Sequence, residues 1–226
     1  DFTGELLSAV KVSEAVGVVI DAVAGVEIGT RLQWRAMPES GLARFFFVNK
    51  MDKENVKWKA ALDSIKGAFG NHAVAVQMPI GEADKFSGVV DLLKMKAYTF
   101  DKDGKRSEID IPADLKSEAQ SHRDSLLEVA AEADDALLEK FFAEGTLSDA
   151  DMMRGLRSGI ANGKLYPVLF GSMSRDISGK LLLEFMADYL PSPAQMPAPK
   201  VQKTGSENLL DLPCSSTGKT VAYVFK

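Results

Sequence analysis

The sequence predicts an α/β protein, with a parallel sheet interrupted by an α+β insert. Three observations lead there. First, short apolar runs rich in β-branched and aromatic residues, Val16 to Asp21, Ala43 to Val48, Ala73 to Gln77 and Leu165 to Phe170, have the length of buried strands. Second, amphipathic stretches with helical spacing separate them, the pattern of βα units. Third, between Phe86 and Ile111 the pattern changes to alternating runs around an Asp103-Gly104 turn, a hairpin signal.

Taken in order, Leu6, Leu7, Val10 and Ala15 recur at near-helical spacing and predict a short opening helix. The strand Val16 to Asp21 follows, then a turn over Ala22 to Gly25 and a helix from Glu27 to about Met37. Pro38 has no amide proton to continue that helix, which should kink or end there. After the second strand, Val56, Ala60, Ile65 and Phe69 mark the apolar side of a helix. The insert, roughly 82 to 163, opens with VVDLL, KAYTF and RSEID strands. Asp114 to Glu144 then reads as one long helix, its stripe running from Leu115 and Ala119 through Leu126 to Leu137 and Phe141. Ser148 with Asp151 resembles a capping box for a helix to about Asn162, and Gly163 lies beyond its end. Strand Leu165 to Phe170 resumes the sheet, and Ser178 to Tyr189 closes it as a helix. The proline-rich, polar stretch 191 to 219 reads as a linker, and Thr220 to Phe225 as the first strand of another domain.

Bulk properties set limits on function. The 226 residues, 46% hydrophobic and 26% charged, suffice for a substantial core. A net charge of −5 provides no global basic field for nucleic acid. The single cysteine, Cys214, cannot form an internal disulfide and fits a cytosolic setting. No apolar run approaches the ~20 residues needed to cross a bilayer, so no membrane partner is expected. The start without Met and the stop at Lys226 within a strand-like run suggest a piece of a larger protein, and an exposed sheet edge suggests self-association or marginal stability.

The chemistry is concentrated in Asn49-Lys50-Met51-Asp52, directly after Phe45-Phe46-Phe47-Val48. This places it at the carboxyl end of a strand, where open α/β sheets bind ligands. The Asp52 carboxylate offers two acceptor oxygens to the adjacent N1–H and amine of guanine, a donor pair that adenine lacks. Asn49 can donate and accept at once, and Lys50 can lay its alkyl stem along a base. An ordinary polar turn is the competing explanation, since Asn and Asp favour turns. Gly171-Ser172-Met173 ends the last sheet strand and would lie beside that loop, with the Ser172 and Met173 amides free to point at the guanine O6; a plain Gly-Ser turn is again the alternative. Gly218-Lys219-Thr220 imitates the end of a phosphate loop, but Pro213 occupies the position of its first glycine and no helix is expected after it. His72 and His122 read as structural, and no metal-binding spacing or nucleophilic triad stands out, so no catalytic residue and no metal ligand is assigned. Glu118, Asp124, Glu128, Glu132, Asp134, Asp135 and Glu139 form an acidic helix face, either solvated or a docking surface.

Asp1 to Glu5 (DFTGE), VVIDAVAGVE, FVNKMDKEN, VQMPIG, FSGVVDLLKMKAY, VLFGS and YLPSP follow one another in an order that closely resembles bacterial translation elongation factor G across almost the whole chain. The resemblance implies a GTPase that works on the ribosome in tRNA–mRNA translocation. It implies a sheet of the P-loop GTPase type lacking its N-terminal part, with a G′ insert and the first strand of a β-barrel domain II. The G domain would take 1–81 and 164–190, the insert 82–163, the linker 191–219 and domain II 220–226. Asn49, Lys50 and Asp52 match the guanine-specificity motif and Gly171 and Ser172 the last nucleotide loop; Met173 departs from the more usual alanine. Asp1-Phe2 looks like the continuation of the segment that carries the water-orienting histidine. The phosphate loop, both switches, that histidine and the Mg²⁺ site would then precede this chain, which keeps GTP/GDP base recognition without the hydrolytic machinery. The implied partners are the ribosome and, through the insert, the ribosomal stalk protein. A release-factor-3-like or ribosome-protection GTPase, a non-hydrolysing docking module, and a flavodoxin-like domain without nucleotide are the alternatives.

Overall fold

The computed structural model describes residues 3–38 and 41–226. Asp1-Phe2, the point where the expected upstream segment would join, lies outside the described residues. The chain runs α1 (Thr3–Val10), β1 (Ala15–Asp21), α2 (Ile28–Ala36), β2 (Ala43–Asn49), α3 (Trp58–Phe69), β3 (Ala73–Ala75), β4 (Gln77–Ile80), β5 (Gly88–Asp91), β6 (Lys96–Phe100) and β7 (Arg106–Ile109). It continues with α4 (Lys116–Glu132), α5 (Asp135–Glu144), α6 (Asp149–Ala161), β8 (Tyr166–Phe170), α7 (Gly179–Tyr189), β9 (Lys200–Gln202) and β10 (Leu209–Asp211).

Four strands form a wholly parallel sheet in the order β1-β2-β8-β3. Helices cover both faces of its central strand, which explains why Ala43 to Val48 is buried throughout rather than on alternate residues. Phe46 stacks under Trp34 of α2 at 5.4 Å and Phe69 of α3 at 5.2 Å. Phe45, on the opposite face, meets Phe185 of α7 at 6.3 Å. α2 stops at Ala36, two residues ahead of Pro38, as that proline requires.

A second, antiparallel sheet forms in the order β4-β5-β6-β7, while α4 packs on α5 and α6, and α4 and α6 also meet β3 and β2 of the parallel sheet. The expected strand Ala73 to Gln77 is two strands. Ala73–Ala75 pairs with β8, and from Gln77 the chain pairs with β5 instead. One apolar run thus serves both sheets, and the antiparallel sheet reaches back before residue 82.

The single helix expected over Asp114 to Glu144 is broken. Asp134 leaves helical geometry at φ −146°, ψ 121°, and its carboxylate accepts the amides of Ala136 and Leu137, capping α5. The apolar stripe continues across the break, which is why periodicity alone missed it. Ser148 caps α6 through the Asp151 amide, and Gly163 follows in the left-handed region at φ 68°. The opening helix also ends earlier than expected, and Ala15 begins β1.

The strand expected over Thr220 to Phe225 is not formed. The two strands of this region, β9 and β10, lie inside the stretch read as a linker and pair with each other. Alternation in 220–225 supplies side chains for a strand, but a strand also needs a partner for its amides and carbonyls. Val221, Tyr223, Val224 and Phe225 remain exposed.

Candidate functional site

The parallel arrangement brings the carboxyl ends of β1, β2 and β8 to one rim, with Asp21 opposite Asn49 and Val48 opposite Phe170. The loops following these strands carry the polar groups of the site.

The β2 loop turns at once. Lys50 adopts φ 65°, a left-handed conformation uncommon for a residue with a Cβ. Its amide donates to the Asn49 Oδ1 at 2.8 Å, which fixes the turn. Met51 is fully buried and anchors the loop; its amide donates to the Gly171 carbonyl at 3.2 Å. Gly171 in turn donates to the Val48 carbonyl at 2.9 Å, so the two loops are laced together by their backbones.

Asp52 follows, half-buried. The Ser172 hydroxyl donates to its Oδ1 at 2.5 Å, while Oδ2 receives no hydrogen bond from the described residues. Ser172 itself is fully buried and also lies 3.2 Å from the Ser174 hydroxyl. The carboxylate is therefore aimed by one hydrogen bond and keeps acceptor capacity toward the open rim. Asn49 works as a brace: besides the Lys50 amide, its Oδ1 accepts the Met173 amide at 3.0 Å. Its side-chain nitrogen is left for other work.

All six residues singled out in the sequence, Asn49, Lys50, Asp52, Gly171, Ser172 and Met173, thus come together. One detail is corrected. The Ser172 and Met173 amides do not point outward as free donors: Ser172 donates to the Ile177 carbonyl at 3.1 Å and Met173 to Asn49. The antiparallel bridge between Ser172 and Ile177 closes this loop on itself, and a polar backbone group near a buried strand end is satisfied internally.

Two participants were not singled out. Asp21, the last residue of β1, takes the Lys50 ammonium on Oδ2 at 2.8 Å and the Val23 and Ala24 amides on Oδ1 at 2.9 and 3.2 Å. The Lys50 hydrogen bond, then the Val23 amide, hold its carboxyl below the usual carboxylate range, and the same bond raises the lysine. The signal was present: an acidic residue ending a buried apolar run. Glu82 is the second, and its partners are distant in sequence.

Gly218 to Thr220 lies in irregular chain, and no helix begins after it among the described residues. These residues therefore lack the helix N-terminus on which a phosphate cradle depends. Nor do the described residues include a group of three or more His, Cys, Asp or Glu side chains that could hold a metal ion. No helix is long and apolar enough to cross a membrane.

An open parallel sheet with polar side chains converging beyond the carboxyl ends of its strands defines the class: an α/β domain of the kind that places its ligand sites at that rim. The chain belongs to the family described as the elongation factor Tu GTP binding domain, which matches residues 1–192. It is also similar to a protein of known crystal structure from Thermus thermophilus, with a TM-score of 0.78 and 30% identity over 85% of this chain. The chain spans 29% of the length of that relative.

Proposed function

We propose that this chain is the base-reading half of an elongation factor G-type translational GTPase, with Asp52 selecting guanine. The observation that carries the reading is the Ser172–Asp52 hydrogen bond, which presents a carboxylate with one unoccupied oxygen at the sheet rim. Guanine N1–H and its amine would meet the two carboxylate oxygens, while the Asn49 side-chain nitrogen would face an acceptor on the purine edge. The Lys50 stem, held across the rim by Asp21, would lie along one base face.

The division of labour supports a further part of the proposal. Phosphoryl transfer depends on a phosphate cradle, a metal ion and an oriented water. The residues gathered at this rim fit a purine base, and base recognition is the part assigned to them. We take the G domain as 1–81 with 164–190, the insert as 82–163 and the remainder as a connection toward a second domain. In the parent protein the ribosome would be the site of action, and the acidic helices of the insert would meet a ribosomal stalk protein.

The test is Asp52→Asn in the 226-residue chain, titrated with guanosine and xanthosine and followed by heteronuclear NMR. One matched and one mismatched contact replace two charge-assisted ones, so guanosine affinity should fall on the order of a hundredfold, about 3 kcal/mol. Xanthosine, which carries a carbonyl where guanosine carries an amine, should lose less or gain. Unchanged guanosine binding would remove Asp52 from the site.

A further inference from the structure

Helix α3 begins where the Asp52 loop ends, yet its own N-cap residue, Lys57, provides no side-chain cap. The first helical amide, that of Trp58, is instead taken by Glu82 Oε1 at 3.0 Å, from 24 residues away at the root of the insert. The other oxygen of the same carboxylate, Oε2, receives the Lys57 ammonium at 3.2 Å. Next to Glu82, Ala83 sits at φ 55°, a left-handed conformation that costs a residue with a Cβ, and its amide donates to the Met51 carbonyl at 3.1 Å. The insert root therefore grips the Asp52 loop at both ends, Met51 before Asp52 and Trp58 after it. It also touches the other loop: Arg175 Nη1 donates to the Phe86 carbonyl at 3.2 Å.

We infer that Glu82 is a positioning residue for base recognition, a remote helix cap that sets where the Asp52 carboxylate stands relative to Ser172. A carboxylate at a helix N-terminus satisfies an orphan amide and complements the helix dipole. Here the same contact joins the insert to the ligand loop, so a local helix end becomes a structural link between two units of the chain. This rests on the reading of Asp52 as the guanine-selecting group.

The experiment compares the 226-residue chain with Glu82→Ala, Glu82→Gln, Glu82→Asp and Lys57→Ala. It uses two readouts: amide hydrogen exchange over residues 50–58, and the affinity ratio of guanosine to inosine by NMR titration. Inosine lacks the exocyclic amine, so the ratio reports how well both carboxylate oxygens are placed. Glu82→Ala should speed exchange at Trp58 and lower the ratio roughly five-fold, the scale of losing one helix cap. Glu82→Gln keeps an acceptor and should preserve the ratio, and Lys57→Ala should leave it unchanged. Glu82→Asp, which keeps the charge but withdraws it by one methylene, should reproduce the loss and decides the matter if the alanine chain does not fold. An unchanged ratio in both Ala and Asp variants, or unchanged exchange at Trp58, overturns the role of Glu82 alone. A parent chain that binds guanosine and inosine equally overturns the Asp52 reading and this inference with it.

Discussion

Ser172 donates its hydroxyl proton to Asp52 over 2.5 Å, across 120 residues of sequence. The contact joins the loops after β2 and β8 and leaves one carboxylate oxygen open. Ser172→Ala should free the carboxylate to rotate and lower guanosine affinity by roughly tenfold, about 1.4 kcal/mol, the value of one hydrogen bond to a charged acceptor. Inosine, with one donor fewer, should lose less. Titration of both nucleosides by NMR checks this; equal guanosine affinity before and after would show that Asp52 is oriented by other groups.

Much of that relationship was legible beforehand because both loops follow unmistakable buried strands. Phe45 to Val48 and Leu165 to Phe170 are too apolar for anything but the sheet interior, and strand direction then puts Asn49 to Asp52 and Gly171 to Met173 on one rim. What stayed hidden depended on groups choosing partners at long range. The amides of Ser172 and Met173 looked available until Ile177 and Asn49 were seen to take them. Glu82 drew no reading at all, because its partner, the Trp58 amide at the α3 terminus, lies 24 residues away. Asp134 broke a helix whose apolar stripe ran on undisturbed, since a cap acts through backbone geometry and leaves the periodicity intact. The strand-like Thr220 to Phe225 failed for the complementary reason: its pattern was right and no ladder was there to receive it.

Gly171 tests how tightly the rim is packed. A Cβ at this position would stand 2.7 Å from the Ile177 carbonyl oxygen and 2.7 Å from Phe47 Cζ. The first is backbone and the second a buried ring in the sheet, so neither yields freely. Gly171→Ala should destabilise the chain by about 2 kcal/mol through overpacking. It should also loosen the Met51 amide from the Gly171 carbonyl. Urea denaturation monitored by tryptophan fluorescence gives the first number, and amide exchange at Met51 the second. A chain of unaltered stability would mean that the β8 loop can shift without cost.

Asp91 gives a dependence on pH. It ends β5, is buried, and accepts the Leu93 and Lys94 amides on Oδ1 at 2.8 and 3.1 Å. Burial is the dominant influence and raises its carboxyl above the ordinary value of 3.8, against the opposing pull of those amides and of Lys94 and Arg123. A raised value in the folded state means the fold prefers the neutral acid. That contribution is complete below the unfolded value and is lost as pH rises through the folded one. Asp91→Asn retains an acceptor for both amides and removes the charge. It should melt at a higher temperature than the parent at about pH 7, with the difference shrinking as pH falls through the raised folded value and gone once pH is below 3.8. A constant difference at every pH would show that Asp91 does not titrate in this window.

The open side of β1 predicts how the chain behaves in concentrated solution. Among the described residues, β1 pairs with β2 alone, so its other edge presents unpaired amides and carbonyls. Beside that edge lies an apolar groove of about 360 Å³ lined by Gly17, Val19, Phe45, Leu182 and Met186. Val19 is 65% exposed, unusual for a valine in the middle of a strand. An uncovered edge joined to an apolar face invites pairing with another chain, and natural sheets often block such edges with lysine. Val19→Lys should weaken self-association by roughly tenfold, since it removes one buried valine's share of the contact and brings like charges together. Sedimentation velocity over a concentration series provides the measurement, with circular dichroism to confirm that the fold is kept. A parent chain that stays monomeric throughout the series would mean that the edge is protected already, and that Val19 stands exposed without consequence.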